Sequence, residues 1–278
     1  MPVVTANGIR QHYATMGPID DPDAPVAVLI HGILIDSLAS YYFTLGNPFA
    51  AAGVGTLMYD LRGHGKSEKP DTGYAMTDYA ADLIGLLDEL AITRPVFLIG
   101  NSFGGSVALY VAARHPERVA GVVMIDAEAP TDEWSERLRN VFGETSRQLC
   151  RPEVMAFIRL RGGRHLHKQA KAAFAMLNST RIEQETPYGS MLSMAELAST
   201  TAPVLALYAG EWNIKAEAPH LPTWLPNCET EIIEGHDHSV LVDHPDKICN
   251  LVLPWIAARH ADARTHPAAD AAGATGSP

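Results

Sequence analysis

Ser102 is the residue with the clearest capacity for covalent chemistry. It lies in a Gly-x-Ser-x-Gly pattern at residues 100–104, between an apolar run at 96–99 and a helix-forming segment that follows almost at once. The two glycines leave room for a very sharp turn from strand to helix. Such a turn projects the serine hydroxyl above a sheet, at a helix amino terminus that favours negative charge. Ser102 is therefore predicted to be a nucleophile.

A serine hydroxyl attacks poorly at neutral pH unless an imidazole accepts its proton. Two histidines, His236 and His238, lie in the loop after the last predicted strand, and either could accept that proton. His31, His64 and His244 fit better as polar loop residues, and His31 is expected to brace a loop beside the nucleophile.

The elements that must position these residues alternate along the chain. Asn7-Gly8 predicts a hairpin of two edge strands, and apolar runs predict buried strands. These runs lie at residues 26–30, 55–59, 96–100, 119–125, 203–208 and 230–233. Helical periodicity fills most of the intervals between them. The alternation predicts an α/β fold with a doubly wound, mostly parallel eight-stranded sheet, whose ligands bind at the carboxyl ends of the strands.

The strand pattern stops between residues 127 and 200, where several helices are predicted. We therefore expect a core of residues 1–126 and 201–260, a helical insertion at 127–200 and a disordered tail at 261–278, because the tail has no large apolar residue. Residues 131–185 include ten Lys or Arg residues and seven Asp or Glu residues. A solvated face with helical ion pairs is the favoured interpretation of this local basic excess, ahead of an entrance that steers anions.

The composition narrows the possible partners. The chain has 278 residues, 47% of them hydrophobic, and a formal net charge of −11. This charge argues against nucleic acid or an anionic membrane as the main partner. Cys150, Cys228 and Cys249 lack the spacing of a disulfide framework or a metal site, so we expect buried thiols. With no export signal and no apolar run of about 18 residues, a cytoplasmic location is expected.

Four features together resemble the α/β-hydrolase superfamily. They are His31-Gly32 after the third strand, the polar loop at residues 60–67, the turn around Ser102, and a histidine seven residues before Pro245. The resemblance implies that residues 127–200 form a lid and that His238, rather than His236, is the general base. It also implies an oxyanion hole formed by the backbone N–H groups of Ile33 and Phe103.

The third member of the triad departs from the commonest pattern of that superfamily. The usual acid position holds Asn213, which cannot carry the charge that stabilises a protonated histidine. Some members take the acid from the end of the strand after the nucleophile helix, and that position is Asp126. Asp126 is the preferred candidate, Glu211 and Glu128 follow, and an uncharged orienting role for Asn213 comes last.

These residues predict a serine hydrolase that acts on a carboxylic ester or thioester of a small molecule. Two alternatives stay open, namely a hydrolase that cleaves a carbon–carbon bond of a diketo acid, with lid arginines holding the carboxylate, and a non-hydrolytic ligand-binding or biosynthetic auxiliary protein. We expect no metal or other cofactor, no nucleic acid or membrane partner, and a monomer or homodimer.

Overall fold

One sheet of eight strands organises the computed structural model, which describes residues 2–265. The strands are β1 (Val3–Ala6), β2 (Ile9–Met16), β3 (Val26–Ile30), β4 (Gly55–Tyr59), β5 (Val96–Asn101), β6 (Val119–Ile125), β7 (Val204–Ala209) and β8 (Cys228–Ile233). Their spatial order is β1-β2-β4-β3-β5-β6-β7-β8. β2 pairs antiparallel with β1 and β4, and the remaining neighbours are parallel. The predicted mostly parallel, eight-stranded sheet is confirmed.

Helices cover both faces of this sheet. In chain order they are α1 (Ala39–Tyr42), α2 (Gly46–Ala51), α3 (Met76–Glu89), α4 (Phe103–Arg114), α5 (Asp132–Leu149), α6 (Pro152–Arg161), α7 (Gly163–Ser179), α8 (Ile182–Glu185), α9 (Met194–Ser199), α10 (Leu221–Trp224), α11 (Val240–Asp243) and α12 (Pro245–Thr265). The segment between β3 and β4 forms two short helices, α1 and α2. No helix among the described residues is long and apolar enough to cross a bilayer.

Apolar strands bury both faces of the sheet. Successive side chains of a strand point to opposite faces, so Val28 of β3 belongs to the core layer under α3, and Leu29 to the layer under α12. All five residues of β3 are buried. Because the central strands are parallel, their carboxyl ends meet at one edge, and the residues that follow β3, β5, β6 and β8 share that edge.

Five helices, α5 to α9, lie between β6 and β7, in the segment expected to form a helical insertion. α5 is amphipathic, and it buries Trp134, Leu138 and Phe142 in the core layer that also contains Phe103. α6 and α7 are separated at Gly162. The inner side of α5 therefore packs next to the residue that follows Ser102.

Two expectations need correction. α12 continues to Thr265, five residues into the segment predicted to be disordered, and the rest of that segment, 266–278, lies outside the described residues. Alanines favour the helix there, and Arg264 anchors it through an ion pair with Asp23 at 3.0 Å. The cysteines were expected to be buried, but Cys150 is exposed and only Cys249 is fully buried.

Arg137 of α5 ties the helical insertion to the sheet edge. Its guanidinium lies 2.5 Å from the carboxylate of Glu128, which follows β6, and 2.7 Å from that of Glu217, which follows β7. Both carboxylate side chains are 15% exposed. Burial and the charge of Glu128 raise the pKa of Glu217 to about 7, although Arg137 acts in the opposite direction. One guanidinium thus forms ion pairs with two neighbouring carboxylates.

The raised pKa makes stability depend on pH. Between the ordinary glutamate value and about 7, the folded chain holds a proton on Glu217 that the unfolded chain has released, so stability through this group falls as pH rises across that interval. We expect Glu217→Gln to leave the melting temperature near that of wild type at pH 5 and to raise it above that of wild type at pH 8. Each kcal/mol gained in the free energy of unfolding should raise the melting temperature by about 2 to 4 °C. Thermal unfolding at both pH values measures this difference.

The exposed Glu211, changed to Gln, is the matched control, and its effect should be the same at pH 5 and pH 8. A Glu217→Gln difference from wild type that did not change with pH would contradict the raised pKa.

Candidate active site

The turn at Ser102 joins β5 to α4 without an intervening loop. Ser102 has a φ of +53°, a conformation that is strained for a residue other than glycine. Its N–H donates to the carbonyl of Ile125 on the neighbouring strand at 2.8 Å, which fixes the turn against β6. The hydroxyl therefore lies at the amino terminus of a 12-residue helix, above the carboxyl edge of the sheet.

The two glycines of the motif are required by close packing. A Cβ on Gly100 would overlap the backbone of Gly104, and a Cβ on Gly104 would overlap the carbonyl of Ile30 on β3. α4 therefore approaches the sheet more closely than any side chain at these positions allows. The close approach places the start of α4 directly beside the loop that follows β3.

Asp126 and His238 meet at the same edge. Asp126 is fully buried, its N–H donates to Leu207, and its Oδ1 accepts the N–H of Ala209 at 2.7 Å. The other carboxylate oxygen, Oδ2, lies 3.4 Å from Nδ1 of His238, and neither atom has another partner among the described residues. This separation is longer than a close charge-assisted bond, as is common in unliganded sites. With Nδ1 directed at Asp126, Nε2 of His238 is the nitrogen left for a serine.

The competing candidates lie elsewhere. Asn213 opens a short 3₁₀ helix and Glu211 is exposed, and Asp126 is the acid that the structure places in an ion pair with His238 among the described residues. Glu128 is engaged by Arg137. His236 lies 2.7 Å from Nζ of Lys247 and outside the cavity that contains Ser102. Of the acids considered from the sequence, Asp126 is the one brought to His238.

The backbone N–H groups of Ile33 and Phe103 have no acceptor among the described residues. Phe103 is the first residue of α4, where an N–H has no partner within the helix. Both residues line the cavity together with Ser102 and His238. They are therefore free to donate to an oxygen bound beside the serine.

Two buried histidines hold the loop that carries Ile33. Nδ1 of His31 donates to the carbonyl of Gly32 at 2.6 Å, and the N–H of Ile33 belongs to the same planar trans peptide, so it points the opposite way. Nε2 of His64 accepts the N–H of Leu34 at 2.8 Å. Burial, together with the neighbouring His31 ring, lowers the pKa of His64 to about 3, so His64 stays a neutral acceptor.

Asp36 completes the support of this loop. Its Oδ2 accepts the N–H of Gly32 at 2.9 Å, and its Oδ1 accepts the N–H of Ser37 at 2.8 Å. Neither Asp36 nor the role of His64 was predicted from the sequence, because their partners lie on a loop whose path depends on the tertiary fold. Trp212 was not predicted either, and its indole stacks on the His238 ring with centroids 5.0 Å apart and planes inclined by 19°.

A cavity of about 720 Å³ opens above these groups. Its wall is largely apolar, with Trp134, Leu138 and Leu241 on it, and Arg137 is the only Lys or Arg among its described lining residues. The described residues contain no cluster of three or more His, Cys, Asp or Glu side chains that could hold a metal ion. The arrangement suits nucleophilic attack on an uncharged, largely apolar molecule.

Comparison with known proteins gives relatives along most of the chain. A non-heme chloroperoxidase of Streptomyces lividans is 36% identical over 128 residues, which cover 46% of this chain and 45% of the relative. A 2-hydroxymuconate semialdehyde hydrolase of Pseudomonas putida is 27% identical over 218 residues, covering 71% of this chain and 75% of the relative. Several of the matches span only about half the length of the curated relative.

The solved structure of MGS-M2, an alpha/beta hydrolase enzyme from a Medee basin deep-sea metagenome library, has the same fold. It superposes with a TM-score of 0.77 at 21% identity, covering 92% of this chain and 97% of that one. The model of the alpha/beta hydrolase family matches residues 27–251, which run from β3 into α12. On the family match and the fold, this chain belongs to the alpha/beta hydrolase family.

Proposed function

We propose that this chain is a serine hydrolase that cleaves a carboxylic ester or thioester of a small molecule through an acyl-enzyme on Ser102. One observation carries the proposal: Ser102, at positive φ, shares a cavity with His238, and the buried Asp126 carboxylate lies 3.4 Å from Nδ1 of that histidine. An imidazole oriented by a carboxylate at one nitrogen offers the other nitrogen to the serine proton.

In the first half of the proposed reaction, Nε2 of His238 takes the hydroxyl proton as the Ser102 oxygen attacks the carbonyl carbon. The carbonyl oxygen becomes negative and accepts hydrogen bonds from the N–H groups of Ile33 and Phe103. The tetrahedral intermediate then expels an alcohol or thiol, which receives the proton held on His238. The serine is left acylated.

In the second half, a water molecule attacks the acyl carbon while His238 removes its proton. The second tetrahedral intermediate releases the Ser102 oxygen, which recovers the proton, and a carboxylic acid leaves. The apolar side chains of Trp134, Leu138 and Leu241 would surround an apolar acyl or alcohol group. Burial of such a group supplies binding energy without requiring a charge on the substrate.

Hydrolysis of a carbon–carbon bond in a diketo acid is the second candidate, and the alignment with the Pseudomonas putida hydrolase supports it. That substrate carries a carboxylate, which needs a free cation. Arg137, the only described Lys or Arg of the cavity wall, is already paired with Glu128 and Glu217. The wall also contains the Asp36 carboxylate, so an uncharged ester is the better fit.

The hypothesis of a non-hydrolytic auxiliary protein rests on the absence of an acid at position 213. The Asp126 carboxylate behind His238 weakens that argument. A binding protein has no need of an activated serine, so reaction with an activated phosphonate separates the two functions.

Ser102→Ala should remove hydrolysis of p-nitrophenyl esters of graded chain length, with kcat falling by about 10³ or more. Wild type should be labelled stoichiometrically at Ser102 by a fluorophosphonate, faster at pH 8 than at pH 5, because the histidine must be neutral to accept the proton. Steady-state assays and mass spectrometry measure the two effects. The exposed Ser199, changed to Ala, is the control. A wild type that neither hydrolyses esters nor reacts would favour the binding protein.

Asp126→Asn should lower kcat by about 10³- to 10⁴-fold, because the amide does not stabilise the charged histidine and can select the wrong tautomer. The asparagine carbonyl can still accept the N–H of Ala209, so the fold should survive, and circular dichroism checks this. Asn213→Ala is the matched variant and should change kcat by less than about threefold. An Asn213→Ala loss larger than that of Asp126→Asn would disprove the assignment of the acid.

A negative charge on the acyl group should lower kcat/KM, whereas a diketo acid hydrolase requires a negatively charged substrate. We expect kcat/KM for a butyrate ester to exceed that for the hemisuccinate of the same alcohol by about tenfold, since the extra carboxylate would face Asp36 and Glu128. Glu128→Gln, which frees part of the Arg137 charge, should narrow the ratio. Faster turnover of the hemisuccinate by wild type would favour the second candidate.

A further inference from the structure

Residues 151–171, which comprise α6 and the first half of α7 and are called the α6–α7 hairpin below, have a charge opposite to that of the whole chain. The hairpin contains six basic residues and one acidic residue, within a protein of net charge −11. The basic residues are Arg151, Arg159, Arg161, Arg164, Lys168 and Lys171, and the acidic residue is Glu153. Because salt limits the reach of a charge to about 8 to 10 Å, a surface that touches this hairpin meets its positive charge rather than the net charge of the protein.

The hairpin also exposes large apolar side chains. Phe157 is 61% exposed, Leu160 81% and Leu166 39%. No residue of α6 is fully buried, and its inward face, with Met155 and Ile158, is only partly covered by the core. Phe157 and Leu160 are three residues apart and therefore share the outer face of the helix. A soluble surface carries such side chains singly more often than as a ridge.

Five of the six basic side chains of the hairpin form no ion pair among the described residues, and the sixth, Arg151, pairs with Glu153. The five are Arg159, Arg161, Arg164, Lys168 and Lys171. On α5, by contrast, Arg137, Arg139 and Arg147 each pair with a glutamate. The favoured expectation of helical ion pairs therefore describes α5 and fails for most of the hairpin.

We propose that the α6–α7 hairpin binds an anionic lipid surface. Two exposed, large apolar side chains and several arginines without ion pairs supply the two contributions to binding at an anionic membrane interface, which are burial of apolar area and electrostatic attraction. Phe157 and Leu160 would enter the acyl region, while the stems of Arg159 and Arg161 extend to the anionic headgroups. Phe157 and Leu160 are more than half exposed on one helix, so a protein partner would need a groove that fits both side chains, whereas a fluid lipid surface adapts to them.

The position of the hairpin relates this surface to the cavity. Leu166 lies one turn before Gln169, whose amide donates to the carbonyl of Ile35 at 3.0 Å, and both of those residues line the cavity. Val141 also lines the cavity, and the side chains of Ile35 and Val141 are 48% and 52% exposed. Exposed apolar side chains therefore occur both on the hairpin and in the lining of the cavity. Docking on lipid through the hairpin would bring the cavity close to hydrophobic molecules dissolved in that layer.

Flotation of the full chain with vesicles tests the proposal without any assay of catalysis. We expect wild type to bind vesicles of phosphatidylglycerol and phosphatidylcholine at least tenfold more strongly than vesicles of phosphatidylcholine alone, and to lose most of this binding in 0.5 M salt. The double variant Phe157→Ser/Leu160→Ser should bind anionic vesicles at least tenfold more weakly. Arg159→Gln/Arg161→Gln should weaken binding to anionic vesicles only.

Val3→Ser is the matched control, because Val3 is 53% exposed on β1, at the far edge of the sheet, and it should bind as wild type does. Circular dichroism checks the fold of each variant. Wild type that binds neither vesicle, or binds both equally, overturns the proposal. Dimers in size-exclusion chromatography that the double variant abolishes, without vesicle binding by wild type, would make the ridge a self-association surface and overturn it as well.

Discussion

A short row of backbone and carboxylate hydrogen bonds across three strand ends is the constraint on which the candidate site depends. The N–H of Ser102 binds the carbonyl of Ile125, the N–H of Asp126 binds that of Leu207, and the Asp126 carboxylate binds the N–H of Ala209. The row fixes two strained positive-φ residues, Ser102 and Asp126, at neighbouring strand ends. The energy of packing three buried parallel strands offsets the strain, which a flexible loop could not hold.

Much of the fold could be predicted because its signals are local. The run at 26–30 is apolar at every position, which only a strand buried on both faces requires, and the glycines around Ser102 mark a close approach of helix and sheet. Asp126 became a candidate acid through the resemblance to the α/β-hydrolase superfamily, some members of which take the acid from the end of this strand. What local sequence could not supply was pairing: nothing near Asp36 indicates that it takes the N–H of Gly32.

The helical insertion shows the same division between local and tertiary information. Composition indicated helices and a basic excess, yet it could not say which charges are paired. Arg137 sits between two carboxylates that come from loops 89 residues apart in the chain, at positions 128 and 217. α12 shows the converse, since a segment without large apolar residues stays helical where alanines and one ion pair with Asp23 support it.

The stacking of Trp212 on His238 has a consequence for the electrostatics of proton transfer. When the ring takes a proton it becomes a cation lying against the face of an indole, whose quadrupole attracts positive charge. Such a cation–π contact adds about 0.5 to 1 kcal/mol at a partly exposed site. In the proposed reaction the imidazolium would therefore be stabilised from its edge by a carboxylate and from its face by an aromatic ring, so the loop after β7 would contribute to the chemistry although it supplies no acid.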